Sequence, residues 1–475
     1  MSFASIFFLF FFMPFAILGY YITPKNYKNY FLIFASLLFY GIISYKILLL
    51  LICQIAVSYF GAKFLFKTND FLNRKFYLLA LVGINLMPLI LFKYYTFFID
   101  NLNFIFGTNL KIIEMTAPFG ISFYTFKIIS YLIDVFDNYS FTKDGFDKFL
   151  LYVLMFPQIG AGPITKYYEM RDEIKSRENN ISDMGTGIEK FLIGLAKKVL
   201  LANNFAHIHR QVMSMDLRFI SPITAWLGML AFSLQIYFDF SGYSDMAIGL
   251  GKMMGFNWKE NFDFPYHAKN IQEFWKKWHI SLGQWFKDYV YIPLGGNRRG
   301  ILKFVMNIFI VWFLTGFWHG SSWNFIFWGI YFAILLLLEK FFITDLDLSP
   351  KISVPLTFLL VNFGWVLFFT KNLNEFFLYF TSLFRIKFGF LYDNTHWFLL
   401  KENIVLFSVG IFLTGPYFKS YLSKLKKSYG EKGKIYLYIF YFIVLILSVI
   451  KIVSTEFLPF LYCREIGRAS CRERV

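Results

Sequence analysis

Long apolar stretches, separated by short segments that carry most of the charge, recur along nearly the whole chain. A helix of about 20 apolar residues is long enough to cross a lipid bilayer. Several stretches are shorter, or contain a lysine such as Lys127 or Lys197, which is typical of tilted, re-entrant or protein-buried helices. The candidate spans are residues 3–22, 30–44, 47–66, 76–99, 120–135, 149–159, 188–201, 223–240, 301–318, 323–338, 352–369, 404–417 and 435–453.

This pattern predicts an all-α, polytopic integral membrane protein with roughly ten to thirteen transmembrane or re-entrant helices. Pro157 and Pro163, together with Gly160 and Gly162, interrupt one apolar stretch. Proline and glycine at such positions break helices, so we expect broken or re-entrant backbone there. No internal repeat or low-complexity linker divides the chain. We therefore expect a single membrane domain over residues 1–463.

The last residues, 464–475, differ in composition from the rest. They contain four arginines, in a chain whose positive charge comes mainly from lysine. The segment EIGRASCRERV resembles the translation of a common sequencing adapter. We expect residues 464–475 to be a non-native tail produced by read-through into adapter DNA.

The segment 271–289 has helical periodicity. At 100° per residue its apolar positions fall on one face, and that face includes His279. The face consists of Ile271, Trp275, Trp278, His279, Leu282, Trp285, Phe286 and Tyr289. The pattern predicts one continuous helix with His279 in an apolar, tryptophan-rich stripe. Taken alone, it also fits a buried histidine that is hydrogen-bonded to a neighbour, or an amphipathic helix at the membrane interface with no chemical role.

A second histidine, His319, directly follows the apolar run 301–318 and lies between Gly316 and Gly320. Ionisable residues at membrane depth are functional candidates. Glycine leaves room for backbone or substrate to come close. A histidine at the water interface, without a chemical role, is the alternative.

Two aspartates, Asp239 and Asp245, lie in a segment rich in glycine and aromatic residues. Carboxylates in such surroundings must be paired or hydrated, and these two could orient a histidine or hold the backbone of a broken helix. The glycines of the same segment, Gly242, Gly249 and Gly251, favour close helix packing. Neither the carboxylates nor the cysteines have the spacing of a metal site or of a disulfide framework, so we expect no metal.

The net charge of +17, and the way it is distributed, limits the kinds of molecule that the protein could bind. The basic residues are scattered between apolar runs and form no basic block, which argues against nucleic-acid binding. With 57% hydrophobic residues, the better explanation is positively charged cytoplasmic loops that contact anionic lipid or an anionic substrate.

Three stretches of the chain together resemble the signature blocks of membrane-bound O-acyltransferases, in the bacterial branch of the alginate and peptidoglycan O-acetylation proteins. They read YFDFSGYSDMAIGLGKMMGF, NFDFPYHAKNIQEFWKKWHISLGQWFKDYVYIPLGGNR and GFWHGSSWNFIFWG. The similarity is dense from about Phe156 to Tyr331. It implies helices arranged around a catalytic channel in the inner membrane of a bacterium.

The same resemblance implies an activity. An acetyl group would pass from cytoplasmic acetyl-CoA, a substrate and not a bound cofactor, towards an extracytoplasmic polysaccharide. That polymer would be peptidoglycan, alginate or another exopolysaccharide, reached through an exported, serine-hydrolase-like acetyltransferase partner or directly.

Roles for individual residues follow from the resemblance as well. His319 matches the family's invariant histidine and would be the general base. His279 matches the second histidine motif and would support it, by positioning the thioester or stabilising the oxyanion. Trp275 and Trp278 would line the channel. The basic residues Lys276, Lys277, Arg298 and Arg299 would meet the donor phosphates, or would be ordinary charge on the cytoplasmic side.

Three alternatives remain. Within the family, D-alanyl transfer to teichoic acid would use a carrier-protein thioester instead of acetyl-CoA. A transporter for a lipid-linked glycan would use the two histidines as a proton relay, without covalent chemistry. A scaffold that only recruits an exported enzyme would tolerate the loss of His319.

Overall fold

The described part of the chain is helical and contains no β-strand. The computed structural model describes residues 2–113, 115–137, 140–178, 180–343, 348–385 and 394–454. The prediction of an all-α protein is confirmed. The tail at 464–475, which we expect to be non-native, lies outside the described residues.

The chain divides into two compact units. The first comprises Met1–Phe191 and Tyr243–Lys259, and the second comprises Leu192–Gly242 and Glu260–Leu458. No observation tests the single domain expected over residues 1–463, which stays a prediction. Two helices, α9 and α11 below, contribute residues to both units.

The first unit begins with eight helices. They are α1 (Met13–Ile22), α2 (Lys28–Lys67), α3 (Phe71–Leu89), α4 (Tyr95–Phe106), α5 (Ile121–Phe136), α6 (Phe146–Leu154), α7 (Phe156–Ile159) and α8 (Tyr167–Lys175). The helices that follow are α9 (Ile181–Ala196), α10 (Asn203–Met213), α11 (Pro222–Met253), α12 (Ile271–Lys277), α13 (Ile280–Phe286), α14 (Ile301–His319), α15 (Trp323–Leu338), α16 (Pro350–Phe369), α17 (Leu373–Ser382), α18 (Asn394–Leu413) and α19 (Tyr417–Ser454).

Short turns of wider or tighter winding extend several of these helices. The π-helical turns are Phe8–Phe12, Ile90–Tyr94, Lys197–Ala202, Lys287–Tyr291 and Glu339–Ile343, and the 3₁₀ turns are Lys25–Tyr27, Ser140–Lys143 and Pro265–His267.

Eight helical segments within the described ranges are long and apolar enough to cross a membrane. They are Lys25–Lys67, Phe71–Phe106, Pro222–Met253, Ile301–His319, Trp323–Phe342, Pro350–Phe369, Thr395–Leu413 and Gly433–Ser454. Shorter and more buried helices such as α5 accompany them. The protein is therefore a multi-pass membrane protein, as the apolar pattern predicts.

The predicted spans 30–44 and 47–66 are the two arms of one helix, α2. Only Ser44 leaves helical geometry, with φ −151° and ψ 53°. The sequence places a boundary at the right position, but the structure makes it a kink and not a loop. A polar residue within a long apolar run does not by itself distinguish these two outcomes.

The expected break near Pro157 is confirmed. α6 ends at Leu154, and α7 begins at Phe156. The amide N–H of Phe156 donates to Ser36 Oγ at 3.1 Å. This bond supplies a buried partner for a backbone group that the interruption releases.

The two aspartates are paired, as expected. In the second unit, Lys198 Nζ lies 2.5 Å from Asp239 Oδ1. In the first unit, Lys190 Nζ lies 3.1 Å from Asp245 Oδ1. The ion pairs satisfy carboxylates that burial would otherwise make costly.

Glycines bring helices together, which also agrees with the sequence. A Cβ on Gly249 would lie 2.6 Å from the carbonyl oxygen of Gly187, and one on Gly242 would lie 2.7 Å from that of Gly194. Both distances are shorter than a side chain tolerates. α9 and α11 therefore pack backbone to backbone at these positions.

Candidate active site

His279 lies at a break between two short helices. α12 ends at Lys277 and α13 begins at Ile280, while His279 has left-handed backbone angles, φ 45° and ψ 54°. The prediction of one continuous helix over 271–289 is therefore wrong. Left-handed geometry at a residue other than glycine costs roughly 1–3 kcal/mol, so other contacts must stabilise it.

Those contacts come from the segment that precedes α12. The N–H of Ile280 donates to the carbonyl oxygen of Asn261 at 3.0 Å, and the N–H of Ser281 donates to Asn261 Oδ1 at 3.1 Å. The N–H of Asp263 donates to the carbonyl oxygen of Lys277 at 3.0 Å. These bonds replace bonds that an uninterrupted helix would make within itself. Helical periodicity cannot reveal them, because the partners lie far away in the sequence.

The His279 side chain is buried, with 2% of its surface exposed. Its Nδ1 lies 3.2 Å from Asn261 Oδ1. The imidazole ring packs edge-on against Phe240, with ring centroids 4.6 Å apart, and 6.0 Å from Trp318. His279 lies outside the eight apolar spans, and burial lowers its pKa to about 3. The ring is therefore neutral at physiological pH.

His319 is the last residue of α14 and is also buried, with 4% of its surface exposed. Aromatic rings surround it. The ring centroids of Trp328, Trp318 and Phe368 lie 4.8, 4.9 and 5.4 Å from that of the imidazole. His319 therefore lies in an aromatic setting of low polarity.

Glycine contacts between α14 and α15 fix the end of the helix that carries His319. A Cβ on Gly316 would lie 2.2 Å from the carbonyl oxygen of Phe325, and one on Gly329 would lie 2.2 Å from that of Trp312. A Cβ on Gly320 would meet the Phe325 ring at 2.1 Å. The room that Gly316 and Gly320 provide is thus occupied by the protein itself.

Both histidines line one cavity of about 840 Å³ in the second unit. Trp275, Trp278 and Lys276 line it as well. Trp275 packs against the neighbouring tryptophans of α14 and α15, with ring centroids 4.7 Å from Trp312 and 5.5 Å from Trp328. Five of the eight residues singled out from the sequence therefore meet at this cavity.

The other three basic residues are not part of its lining. Lys277 is paired with Glu273, with Nζ 2.8 Å from Oε1. Arg298 and Arg299 are exposed in the turn before α14. A contact between these three residues and the donor phosphates stays a prediction.

Further basic residues at the cavity were not identified from the sequence. Lys269, Lys287 and Lys340 line it together with Glu339. Glu339 Oε2 accepts a hydrogen bond from the N–H of Ile271 at 2.6 Å, so it caps the start of α12. Lys287 begins the π-helical turn that follows α13, whereas Lys340 lies in the turn Glu339–Ile343 after α15, and no local spacing connects it to the histidines.

The arrangement suits acyl transfer. Aromatic side chains lie beside both histidines, which lowers the local polarity, and the two imidazoles carry nitrogens that can accept a proton. The lysines supply positive charge for an anionic ligand.

Comparison with known proteins identifies the family to which the chain belongs. Residues 137–380 match the membrane-bound O-acyltransferase (MBOAT) family. The probable alginate O-acetylase AlgI of Pseudomonas putida is 39% identical over 385 residues, covering 79% of this chain and 78% of the relative. The peptidoglycan O-acetyltransferase of Helicobacter pylori is 36% identical over 414 residues, covering 78% and 77%. The teichoic acid D-alanyltransferase of Bacillus subtilis is 30% identical over 274 residues, covering 53% and 68%.

The chain belongs to the membrane-bound O-acyltransferase family, and it is an O-acyltransferase. The resemblance identified from the three sequence blocks is confirmed. The matched region contains both histidines and every cavity-lining residue named above.

Proposed function

We propose that this enzyme takes an acetyl group from acetyl-CoA on the cytoplasmic side of a bacterial inner membrane. The acetyl group then passes towards a hydroxyl of an extracytoplasmic polysaccharide. The observation that carries this proposal is the cavity whose lining brings the buried His279 and His319 together with Trp275, Trp278 and several lysines. The relatives of greatest coverage given above are named for O-acetylation, and this supports acetyl as the group transferred.

The chemistry assigns one role to each histidine. The acceptor hydroxyl oxygen attacks the thioester carbonyl carbon while His319, as general base, takes its proton. The carbon–sulfur bond then breaks, and the coenzyme A thiolate leaves and takes up the proton from His319. His279 supports this step, and Trp275 and Trp278 shield the thioester from hydrolysis by water.

The donor is a polyanion, and the lysines of the cavity match its charge. Lys276 and Lys287 line the cavity and would contact its phosphates, and Lys277, Arg298 and Arg299 remain further candidates. Acetyl-CoA acts here as a substrate and needs no resident cofactor.

The acceptor lies on the other side of the membrane. We infer that an exported serine-hydrolase-like partner accepts the acetyl group on its serine and passes it to peptidoglycan, alginate or another exopolysaccharide. Membrane lipid surrounds the enzyme, and nucleic acid has no part in the reaction.

D-alanyl transfer to teichoic acid is the second candidate. The similarity to the Bacillus subtilis enzyme favours it, but that match covers 53% of this chain against 79% for the alginate O-acetylase. Membership in an acyltransferase family argues against the transporter and scaffold alternatives.

Replacement of His319 tests the proposal. General-base assistance contributes on the order of 10²–10⁴ in rate, so His319→Ala should reduce polymer-bound acetate to near background in cells with matched amounts of membrane-inserted protein. His319→Gln should do no better, because an amide cannot take the proton. Near-normal acetate in His319→Ala would contradict the general-base assignment.

A further inference from the structure

Asn261 lies between α11 and α12 and is almost fully buried, with 1% of its surface exposed. Its side-chain oxygen contacts three groups of the helix break. Ser281 N lies 3.1 Å away, Ser281 Oγ lies 3.0 Å away and His279 Nδ1 lies 3.2 Å away. One amide oxygen thus connects the start of α13 to the imidazole ring.

The first of these contacts fixes the orientation of the amide. A backbone N–H can only donate a hydrogen bond, so the atom of Asn261 that faces Ser281 must be the oxygen. The same oxygen faces His279 Nδ1, and an oxygen can only accept. The Nδ1 atom must therefore carry the proton. In a neutral imidazole the other nitrogen, Nε2, then carries the lone pair.

We propose that Asn261 is a positioning residue that holds His279 as its Nδ1–H tautomer, and this proposal rests on the proposed function. His279 then presents a hydrogen-bond acceptor, Nε2, to a substrate N–H or O–H. Such a ring cannot donate from Nε2 to an oxyanion. Of the two supporting roles expected for His279, positioning of the substrate fits this geometry, and oxyanion stabilisation does not.

The contact with Asn261 also stabilises the left-handed backbone of His279. An uninterrupted helix would direct residue 279 according to its helical phase alone. The break at His279 is held by Asn261 through both its main-chain and its side-chain oxygen. Asn261 therefore contributes to the position of the ring and to its orientation, and it determines the tautomer.

Two substitutions of Asn261 separate this role from a structural one. Asn261→Asp keeps an oxygen that accepts from Ser281 and His279, but it adds a negative charge beside the ring, which raises the pKa of His279. The variant should lose activity as the pH falls through that raised pKa, because the imidazolium cannot accept, and should recover towards wild-type turnover at higher pH. Asn261→Ala removes the acceptor, and its turnover should fall about 10–100-fold at every pH, as is typical when the residue that orients a functional histidine is lost.

Apart from residue 261, wild type and Asn261→Asp have the same titratable groups near His279. The same cavity is also lined by His319, Lys269, Lys276, Lys287, Glu339 and Lys340. Asp239, which is paired with Lys198, directly precedes Phe240, whose ring contacts His279. A difference between the pH profiles of wild type and Asn261→Asp therefore reports the change at residue 261.

A double-mutant cycle completes the experiment. Acetyl transfer from acetyl-CoA is measured in detergent-solubilised enzyme for Asn261→Ala, His279→Ala and the double variant. We expect the double variant to resemble His279→Ala, because Asn261 acts through that ring. The matched control is Asn85→Ala, another fully buried asparagine, which is hydrogen-bonded to Ser58. It should lower thermal stability without changing the pH profile.

Two results would overturn the proposal. The first is full additivity of the two substitutions. The second is an Asn261→Asp profile identical to that of wild type, with turnover unchanged in Asn261→Ala. Failure of the proposed function would look different, because the wild-type enzyme would then transfer no acetyl group from acetyl-CoA.

Discussion

At the scale of single residues, the two histidines occupy different settings. His319 ends a membrane-length helix inside an aromatic cage. His279 lies between two short helices and is held by an asparagine. This difference supports a division of roles, in which His319 accepts the proton and His279 positions the substrate.

The division of roles predicts unequal losses. His279→Ala should reduce acetyl transfer by about 10²–10³, the typical contribution of a positioning or electrostatic group, and leave measurable residual activity. In His319→Ala, acetyl transfer should fall further, to background. Steady-state turnover of both purified variants checks this. If His279→Ala were inactive and His319→Ala nearly normal, the two roles would have to be exchanged.

The cavity lysines give a second prediction at this scale. A charge-assisted hydrogen bond contributes about 1.5–3 kcal/mol. Lys276→Ala and Lys287→Ala should therefore raise KM for acetyl-CoA by roughly ten-fold or more, with a smaller effect on kcat. The exposed Lys401→Ala on α18 is the control for a change in net charge.

Measurement of KM for acetyl-CoA also tests whether Arg298, in the exposed turn before α14, contacts the donor phosphates. A larger rise in KM for Arg298→Ala than for Lys276→Ala would move the phosphate site to that turn and away from the cavity.

At the scale of helices, local patterns in the sequence predict what local forces determine. The predicted span 323–338 coincides with α15, and the predicted span 301–318 ends one residue before α14 does. The break at His279 could not be predicted, because its hydrogen-bond partner Asn261 lies 18 residues earlier in the chain. Lys340 reaches the cavity from another helix, and no periodicity within 271–289 indicates it.

The contact between α14 and α15 predicts a sensitive glycine. Gly329→Ala would place a Cβ 2.2 Å from a backbone oxygen, so the two helices must separate, and overpacking of this kind costs typically 1–3 kcal/mol. We expect a lower melting temperature and reduced acetyl transfer, since α14 carries His319. Gly83→Ala is the matched control, because no atom lies within 4 Å of its added Cβ. Equal melting temperatures for the two variants would contradict the close contact.

At the scale of the whole molecule, a membrane enzyme of this kind requires a defined orientation. Lys67, Arg74 and Lys75 flank the loop between α2 and α3, whereas the segment after α4 carries little positive charge. The positive-inside rule then places the first of these loops in the cytoplasm. The sequence predicts this orientation from charge alone, and it stays a prediction.

Reporter fusions check the orientation. A reporter inserted within residues 68–70, between α2 and α3, should be cytoplasmic, and one inserted within residues 107–113, after α4, should be external. The opposite pattern would reverse the assignment and would place the acyl donor on the wrong face of the membrane.

The central claim is that the enzyme takes acetyl groups from cytoplasmic acetyl-CoA and delivers them across the membrane. It is tested most directly in inside-out membrane vesicles that enclose the polysaccharide and the exported partner, with radiolabelled acetyl-CoA added outside. We predict that the enclosed polysaccharide becomes labelled, that right-side-out vesicles give no label, and that His319→Ala abolishes labelling. An unlabelled polysaccharide in inside-out vesicles that do transfer D-alanine from a carrier-protein thioester would contradict the account.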